Sequence, residues 1–258
     1  MENLSGGYGN GDVVKGITCG ADAGEVLCLV GPNGCGKTTL FRLILGFLTA
    51  TGGSVRIGGV EVETLPPGEL AKQVAYIPQY HMPVFSYTAL EVVMMGRASH
   101  FSALQSPGRT DREAAFTALE KLNAVHLANQ KYTALSGGQR QMVMIARALC
   151  QEARVLIMDE PGAGLDYANQ QLLLDIVNEL AGNGYCVVMS THSPEHPAAV
   201  AGKVLLMCGG KAAAFGRAEE VIVPELLEGV YGIEMDVLTL RDRYGVQRTI
   251  CLPVKKKG

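Results

Sequence analysis

None of the seven cysteines in this 258-residue chain is part of a C-x-x-C pair, and their number is odd. No zinc ribbon or disulfide framework is indicated, so the expectation is a reducing compartment. Long apolar runs are missing too. No stretch of 18 or more residues is predominantly apolar, which excludes a bilayer-spanning helix. The first 20 residues carry Glu2, Asp12 and several glycines and hold no apolar signal core. Positive charge is not in surplus: 22 Lys and Arg against 25 Asp and Glu give a formal charge of −3. There is no basic footprint, so nucleic acid is not expected as a partner. Lys255, Lys256 and Lys257 are too few for a lipid-binding patch and read as a solvated tail. No internal repeat or low-complexity linker is visible. One absence is local. Residues 73–90, "QVAYIPQYHMPVFSYTAL", contain no Asp, Glu, Lys or Arg. Two prolines and several polar groups prevent a membrane helix there, but a charge-free surface is left to explain.

What is present is ample apolar material, 48% of the residues. That supports one large domain or two small ones. Short apolar runs, "EVLCLVG" (25–31), "RVLIMDE" (154–160), "YCVVMSTH" (185–192) and "KVLLMC" (203–208), read as buried strands. They alternate with helical patterns at 37–48, 111–128, 137–151, 167–181 and 194–201. That alternation predicts an α/β fold with a parallel sheet covered on both faces. Thr110 and Glu113 fit a capping box for the second helix, and Ser193–Pro194 a start for the last. Residues 84–150 lack a clear strand and read as a helical insertion.

"GPNGCGKT", Gly31 to Thr38, matches G-x-x-x-x-G-K-[ST] between a predicted strand and a helix. Glycines let the backbone wrap an anion, and the helix N-terminus points N–H groups at it. Lys37 can reach β- and γ-phosphates, and the Thr38 hydroxyl can hold Mg²⁺. "VLIMDE" ends a buried strand in Asp159 and Glu160, at the edge where ligands bind a parallel sheet. Asp159 would support Mg²⁺ and Glu160 would polarise an attacking water. His192 ends the next strand. Gln79 follows the apolar run Val74–Ile77. "LSGGQR" (135–140) opens the 137–151 helix, and Ser136 with Gln139 fits a capping box. A capping box alone does not account for Gly137 and Gly138.

The order of these elements, together with "GLD" (164–166), resembles the ATP-binding-cassette (ABC) ATPases over residues 1–215. The resemblance implies a P-loop NTPase (RecA-like) core, 1–83 with 151–215, an N-terminal antiparallel β portion, a helical subdomain at 84–150 and a short C-terminal extension at 216–258. It implies that ATP is held by Tyr8, stacking on adenine, and by Gly31, Pro32, Asn33, Gly34, Cys35, Gly36, Lys37, Thr38 and Thr39. From a second copy it draws Ser136, Gly137, Gly138 and Gln139, and it makes Asp166 the D-loop acid at the nucleotide site. Glu160, His192 and Gln79 would be catalytic, and Thr38, Gln79 and Asp159 would serve Mg²⁺. Gly162 departs from the family pattern, which usually has Thr there, and puts the rigidity of the following loop in question. The implied partners are a second copy of the chain, polytopic permease subunits and, indirectly, an extracytoplasmic binding protein, with the ATPase on the cytoplasmic face of the inner membrane. "VVMMGR", Gln170 and "GVYGIEMDVL" resemble the ATPases of iron–siderophore, haem and cobalamin importers. Zinc, manganese or molybdate importers are the alternatives, followed by a soluble ABC ATPase without a transport role. A generic P-loop kinase would leave "LSGGQ" a coincidence.

Overall fold

A strand of five consecutive buried residues, β3 (Val26–Val30), is the axis of the first of two compact units. The computed structural model describes residues 1–79, 86–100, 107–200 and 202–254. One unit comprises Met1–Thr64 with Val177–Gly258, the other Leu65–Ile176. The chain opens with β1 (Glu2–Gly7) and β2 (Asp12–Ile17), continues through β3 and α1 (Lys37–Ile44), then reaches β4 (Gly52–Ser54) and the small hairpin β5 (Arg56–Ile57) and β6 (Val60–Glu61). β1 lies between β2 and β4, antiparallel to both, which is the expected N-terminal antiparallel portion. Leu4, Val14 and Ile17 are fully buried on its inner face.

The second unit begins with α2 (Pro67–Gln73), whose Pro67 sits at the first helical position, where a missing N–H costs nothing. β7 (Val74–Ile77) follows, then α3 (Ala89–Met94), α4 (Arg109–Lys121), α5 (Gly137–Cys150) and β8 (Val155–Met158). α6 (Tyr167–Gly182) starts here and finishes in the first unit. β7 and β8 are parallel and in register from Val74↔Val155 to Ile77↔Met158. Gln151 reinforces this end by donating to the carbonyls of Ala71 and Val74. α3 is started by a complete capping box, Thr88 with Glu91.

The expected Thr110–Glu113 box does not form. α4 begins two residues earlier, because Asp111 Oδ2 accepts the Gly108 N–H at 2.8 Å. Arg97, the arginine of "VVMMGR", also reaches Asp111, at 3.3 Å. It bonds Glu152 at 2.7 Å and the Cys150 carbonyl at 3.2 Å. It ties the helices of this unit to one another.

The first unit resumes with β9 (Cys186–Thr191), α7 (His196–Ala199), β10 (Lys203–Cys208), β11 (Lys211–Arg217), α8 (Ala218–Val221), α9 (Pro224–Tyr231), β12 (Met235–Arg241) and β13 (Gln247–Pro253). β3 is parallel to both β9 and β10, and β11 pairs antiparallel on the far side of β10. α7 starts at His196, not at Pro194. Ser193 does not cap it: its N–H donates to Thr191 Oγ1 at 3.1 Å in a tight turn. β12 and β13 form an in-register hairpin in which Val237 faces Cys251.

Candidate functional site

In the first unit the phosphate-loop motif leaves the carboxyl end of β3, as expected of a ligand-binding edge. Its glycines are required one by one. Gly31 has φ +155°, and a Cβ there would stand 2.3 Å from the Met207 carbonyl oxygen. Gly34 and Gly36 have φ values of +80° and +108°, left-handed backbone that side chains resist. Gly36 is the N-cap of α1 and supplies no side-chain bond to the helix mouth. The Lys37 ammonium is buried, only 6% exposed, and curls back to donate to the carbonyls of Gly31 (2.8 Å) and Pro32 (3.4 Å). Those carbonyl oxygens engage donors for which the oxygens of a bound phosphate would compete. Cys35 and Thr39 are buried beside it, while Asn33, Gly34 and Thr38 face outward. Burial pushes the Cys35 thiol pKa up, against the pull of Lys37.

Two more predicted positions lie in this unit. Tyr8 is 45% exposed, and its hydroxyl accepts from Arg42 at 2.7 Å with the guanidinium over its ring. It thus offers a held aromatic face. His192 follows β9 directly and is exposed. The turn behind it is ordered by Thr191 Oγ1, which is 2.8 Å from His196 Nδ1. Burial lowers the His196 pKa, with His192 adding in the same direction and Glu195 opposing.

The second unit gathers the remaining positions. The Asp159 N–H donates to the Ile77 carbonyl at 2.9 Å and carries the β7–β8 pairing one residue further. Its side chain is 3% exposed. Glu160 is left-handed at φ +45°, which swings its side chain off the strand direction. Gln79, 81 residues earlier, donates from Nε2 to Glu160 Oε2 at 2.9 Å. The geometry therefore joins the amide and the carboxylate that the sequence could only place in one order.

Ser136 caps α5 as its residue type predicts. Ser136 Oγ accepts the Gln139 N–H at 3.3 Å, and Gln139 Oε1 accepts the Ser136 N–H at 2.9 Å. Gly138 has a separate reason to be glycine. A Cβ there would sit 2.4 Å from Asn169 Oδ1. Asn169 is fixed in turn by Asp166, which accepts its backbone N–H at 2.8 Å and its side-chain amide at 2.9 Å. So Asp166 starts α6, and the first turn of α6 packs directly on the glycine mouth of α5. Gln170 spans the loop containing Gly162. Its Nε2 donates to the Gly162 and Leu165 carbonyls at 3.4 and 3.1 Å. These bonds bear on the rigidity that the absent threonine put in question. Asn169 escaped sequence reasoning. Its one signal was its position, three residues after the cap Asp166.

A family model described as "ABC transporter" matches residues 14–163, which include the phosphate loop, the glycine mouth of α5 and the two acids after β8. The chain belongs to the ABC transporter family. As an ABC ATPase it is similar along almost its whole length to a hemin import ATP-binding protein of Thermobifida fusca (strain YX). The two are 35% identical over 98% of this chain and 87% of that one. A molybdate import ATP-binding protein of Haemophilus influenzae is equally similar, at 35% identity over 82% of this chain and 79% of the other. Among solved structures, an inward-facing ABC transporter of the metal-chelate type superposes with a TM-score of 0.87, at 31% identity. The match covers 99% of this chain and 96% of that one. This ABC ATPase binds and hydrolyses ATP. Among the described residues no helix is long and apolar enough to cross a membrane.

Proposed function

We propose that this chain is the ATP-hydrolysing subunit of a metal-chelate importer for an iron–siderophore complex, haem or cobalamin. The supporting observation is the 99% coverage by the metal-chelate transporter structure, which takes in the C-terminal hairpin as well as the cassette. Hemin and molybdate relatives are equally identical to the chain, so identity alone does not choose the cargo.

In this reading Tyr8 stacks on adenine, and the backbone from Gly31 to Thr39 with the Lys37 ammonium binds the phosphates. Glu160 is the general base that takes a proton from the attacking water, and Gln79 holds its carboxylate in one rotamer. His192 donates to the γ-phosphate as charge builds there. Ser136, Gly137, Gly138 and Gln139 of a second copy, with its Asp166, close over the same nucleotide in a homodimer. Mg²⁺ would be held by Thr38, Gln79 and Asp159. Among the described residues no cluster of three or more His, Cys, Asp or Glu could hold a metal alone. One buried carboxylate with hydroxyl and amide oxygens instead suits an ion that arrives on phosphates. Such an ion would neutralise phosphate charge.

Permease subunits then supply the membrane path, fed by an extracytoplasmic binding protein, and the ATPase works at the cytoplasmic face of the inner membrane. A 360 Å³ apolar groove lined by Tyr87, Glu91, Met94, Met95, Ala98 and Pro107 is the permease seat in this reading. The charge-free stretch 73–90 does not form a continuous seat of its own, because Val74, Ala75, Ile77, Ala89 and Leu90 are buried. His81, Val84 and Phe85, in the same stretch, lie outside the described residues. ATP favours the closed dimer, and hydrolysis releases it. The test is uptake of labelled ferric chelate, haem and cobalamin in strains with and without the gene. Loss of one of these uptakes is expected. Unchanged chelate uptake with reduced zinc, manganese or molybdate uptake overturns the cargo class.

A further inference from the structure

His192 stands on a four-residue connection between β9 and α7, yet that connection is held from outside by the C-terminal part of the chain. Glu195, just before α7, is the bridge. Its Oε2 accepts from Ser193 Oγ at 3.0 Å. Its Oε1 accepts the backbone N–H of Cys251 at 3.2 Å, 56 residues away on β13. β13 is one of two strands in an isolated hairpin, so an outward-facing amide on it needs an acceptor that the hairpin does not supply. The hairpin itself is anchored. The Met235 N–H, at the start of β12, donates to Glu228 of α9 at 3.0 Å, and the Val254 N–H donates to the Glu234 carbonyl at 2.8 Å. From α9, the Tyr231 hydroxyl lies 3.5 Å from the His192 carbonyl oxygen, a long second tether. On the other side, buried Thr191 accepts the Ser193 N–H. The residue after His192 is therefore fixed from both directions, by β9 through Thr191 and by the hairpin through Glu195.

We propose that Glu195 is a positioning residue for ATP hydrolysis, which ties the segment bearing His192 to the C-terminal hairpin through Ser193 Oγ and the Cys251 N–H. The proposal rests on the reading of His192 as the γ-phosphate donor. A carboxylate is suited to the task because one rigid group accepts from two elements at once, and charge-assisted bonds to it are the strong ones. Its effect falls on the chemical step. Nucleotide binding depends mainly on the phosphate loop, whereas a donor displaced by about 1 Å can forfeit up to about 10²-fold in rate. The C-terminal hairpin thereby becomes part of the catalytic apparatus while touching no substrate.

The experiment is steady-state ATPase kinetics on the full-length protein, run well below each variant's melting temperature. Glu195→Ala should lower kcat about tenfold while KM for ATP stays within about twofold. Glu195→Gln keeps an amide oxygen for the Cys251 N–H and should recover most of kcat. Ser193→Ala, which removes the nearer donor, should lower kcat about threefold and serves if Glu195→Ala does not fold. Combining Glu195→Ala with His192→Ala should cause no loss beyond His192→Ala alone. Wild-type kcat in Glu195→Ala beside a slow His192→Ala overturns the tie and spares the role of His192. Wild-type kcat in His192→Ala overturns that role and the tie with it. Parallel changes in kcat and KM, or a Gln variant as slow as Ala, would mean a general structural defect and overturn the proposal.

Discussion

The two glycine-bearing helix mouths, at α1 and at α5, look alike in sequence and are built on different physical grounds. At α1 the glycines are required by backbone torsion, with positive φ at Gly31, Gly34 and Gly36, and the N-cap contributes no side chain to the first turn. At α5 the mouth is closed by its own side chains, Ser136 and Gln139, and Gly138 answers to a neighbour, Asn169. One mouth is shaped by its backbone torsions. The other is a finished helix start with its surface shaved flat. A glycine in a motif can thus mean "this backbone turns the wrong way" or "something else is already here", and only the torsions and neighbours tell them apart.

The strongest way to test that contrast is to freeze the two mouths on one nucleotide. Glu160→Gln should retain ATP binding and lose about 10²–10⁴-fold in turnover, since the amide cannot accept the proton. With ATP it should elute as a dimer in gel filtration, and a variant that stays monomeric would separate the mouths. Lys37→Ala acts on α1 alone. It should lower kcat/KM by about 10²-fold, in the range set by loss of one preorganised donor to a charged centre. Melting temperature checks that the protein remains folded.

Gly138→Ala acts on α5 alone. The added carbon meets Asn169 at 2.4 Å, so the expected cost is about 1–3 kcal/mol of unfolding free energy. Asn169→Ala in the same chain should return part of it, and denaturant titration of the cycle measures the coupling. Ser136→Ala should cost about 1 kcal/mol as a lost cap, whereas no cap is present at Gly36 to lose. The smallest effect lies at the turn behind His192. The folded-state pKa of His196 is depressed by burial, so the unfolded chain binds the extra proton more readily. The contribution is full above the unfolded value of about 6.5 and declines as pH falls below it toward the depressed folded value. His196→Asn should flatten that part of the stability profile, read by thermal melts between pH 5 and pH 8 (roughly the span over which histidine titrates).

Much of the fold was legible because its determinants are local. β3, β8, β9 and β10 are continuous apolar runs, and α1 and α5 begin within motifs whose spacing fixes their start. The errors at helix starts share one cause. Asp111 and Ser193 use their side chains or backbone for bonds that a pattern of residue types does not distinguish from the expected caps. The site was legible as an ordered set of residues and not as contacts. Gln79 with Glu160 is a pairing across 81 residues, and Asn169 meets Gly138 across α5 and β8. No periodicity encodes such meetings, because they depend on which ends of distant elements are brought to the same place.

Among the described residues, Glu160 is one of four other than glycine with positive φ. For an L-residue that backbone costs about 1–2 kcal/mol, and glycine would relieve it. Selection for heat resistance alone would therefore push position 160 toward glycine or asparagine, and each step in that direction would remove the carboxylate. A thermostability screen of this enzyme should carry an activity assay from its first round, because one of the simplest stabilising substitutions removes the carboxylate proposed as the general base.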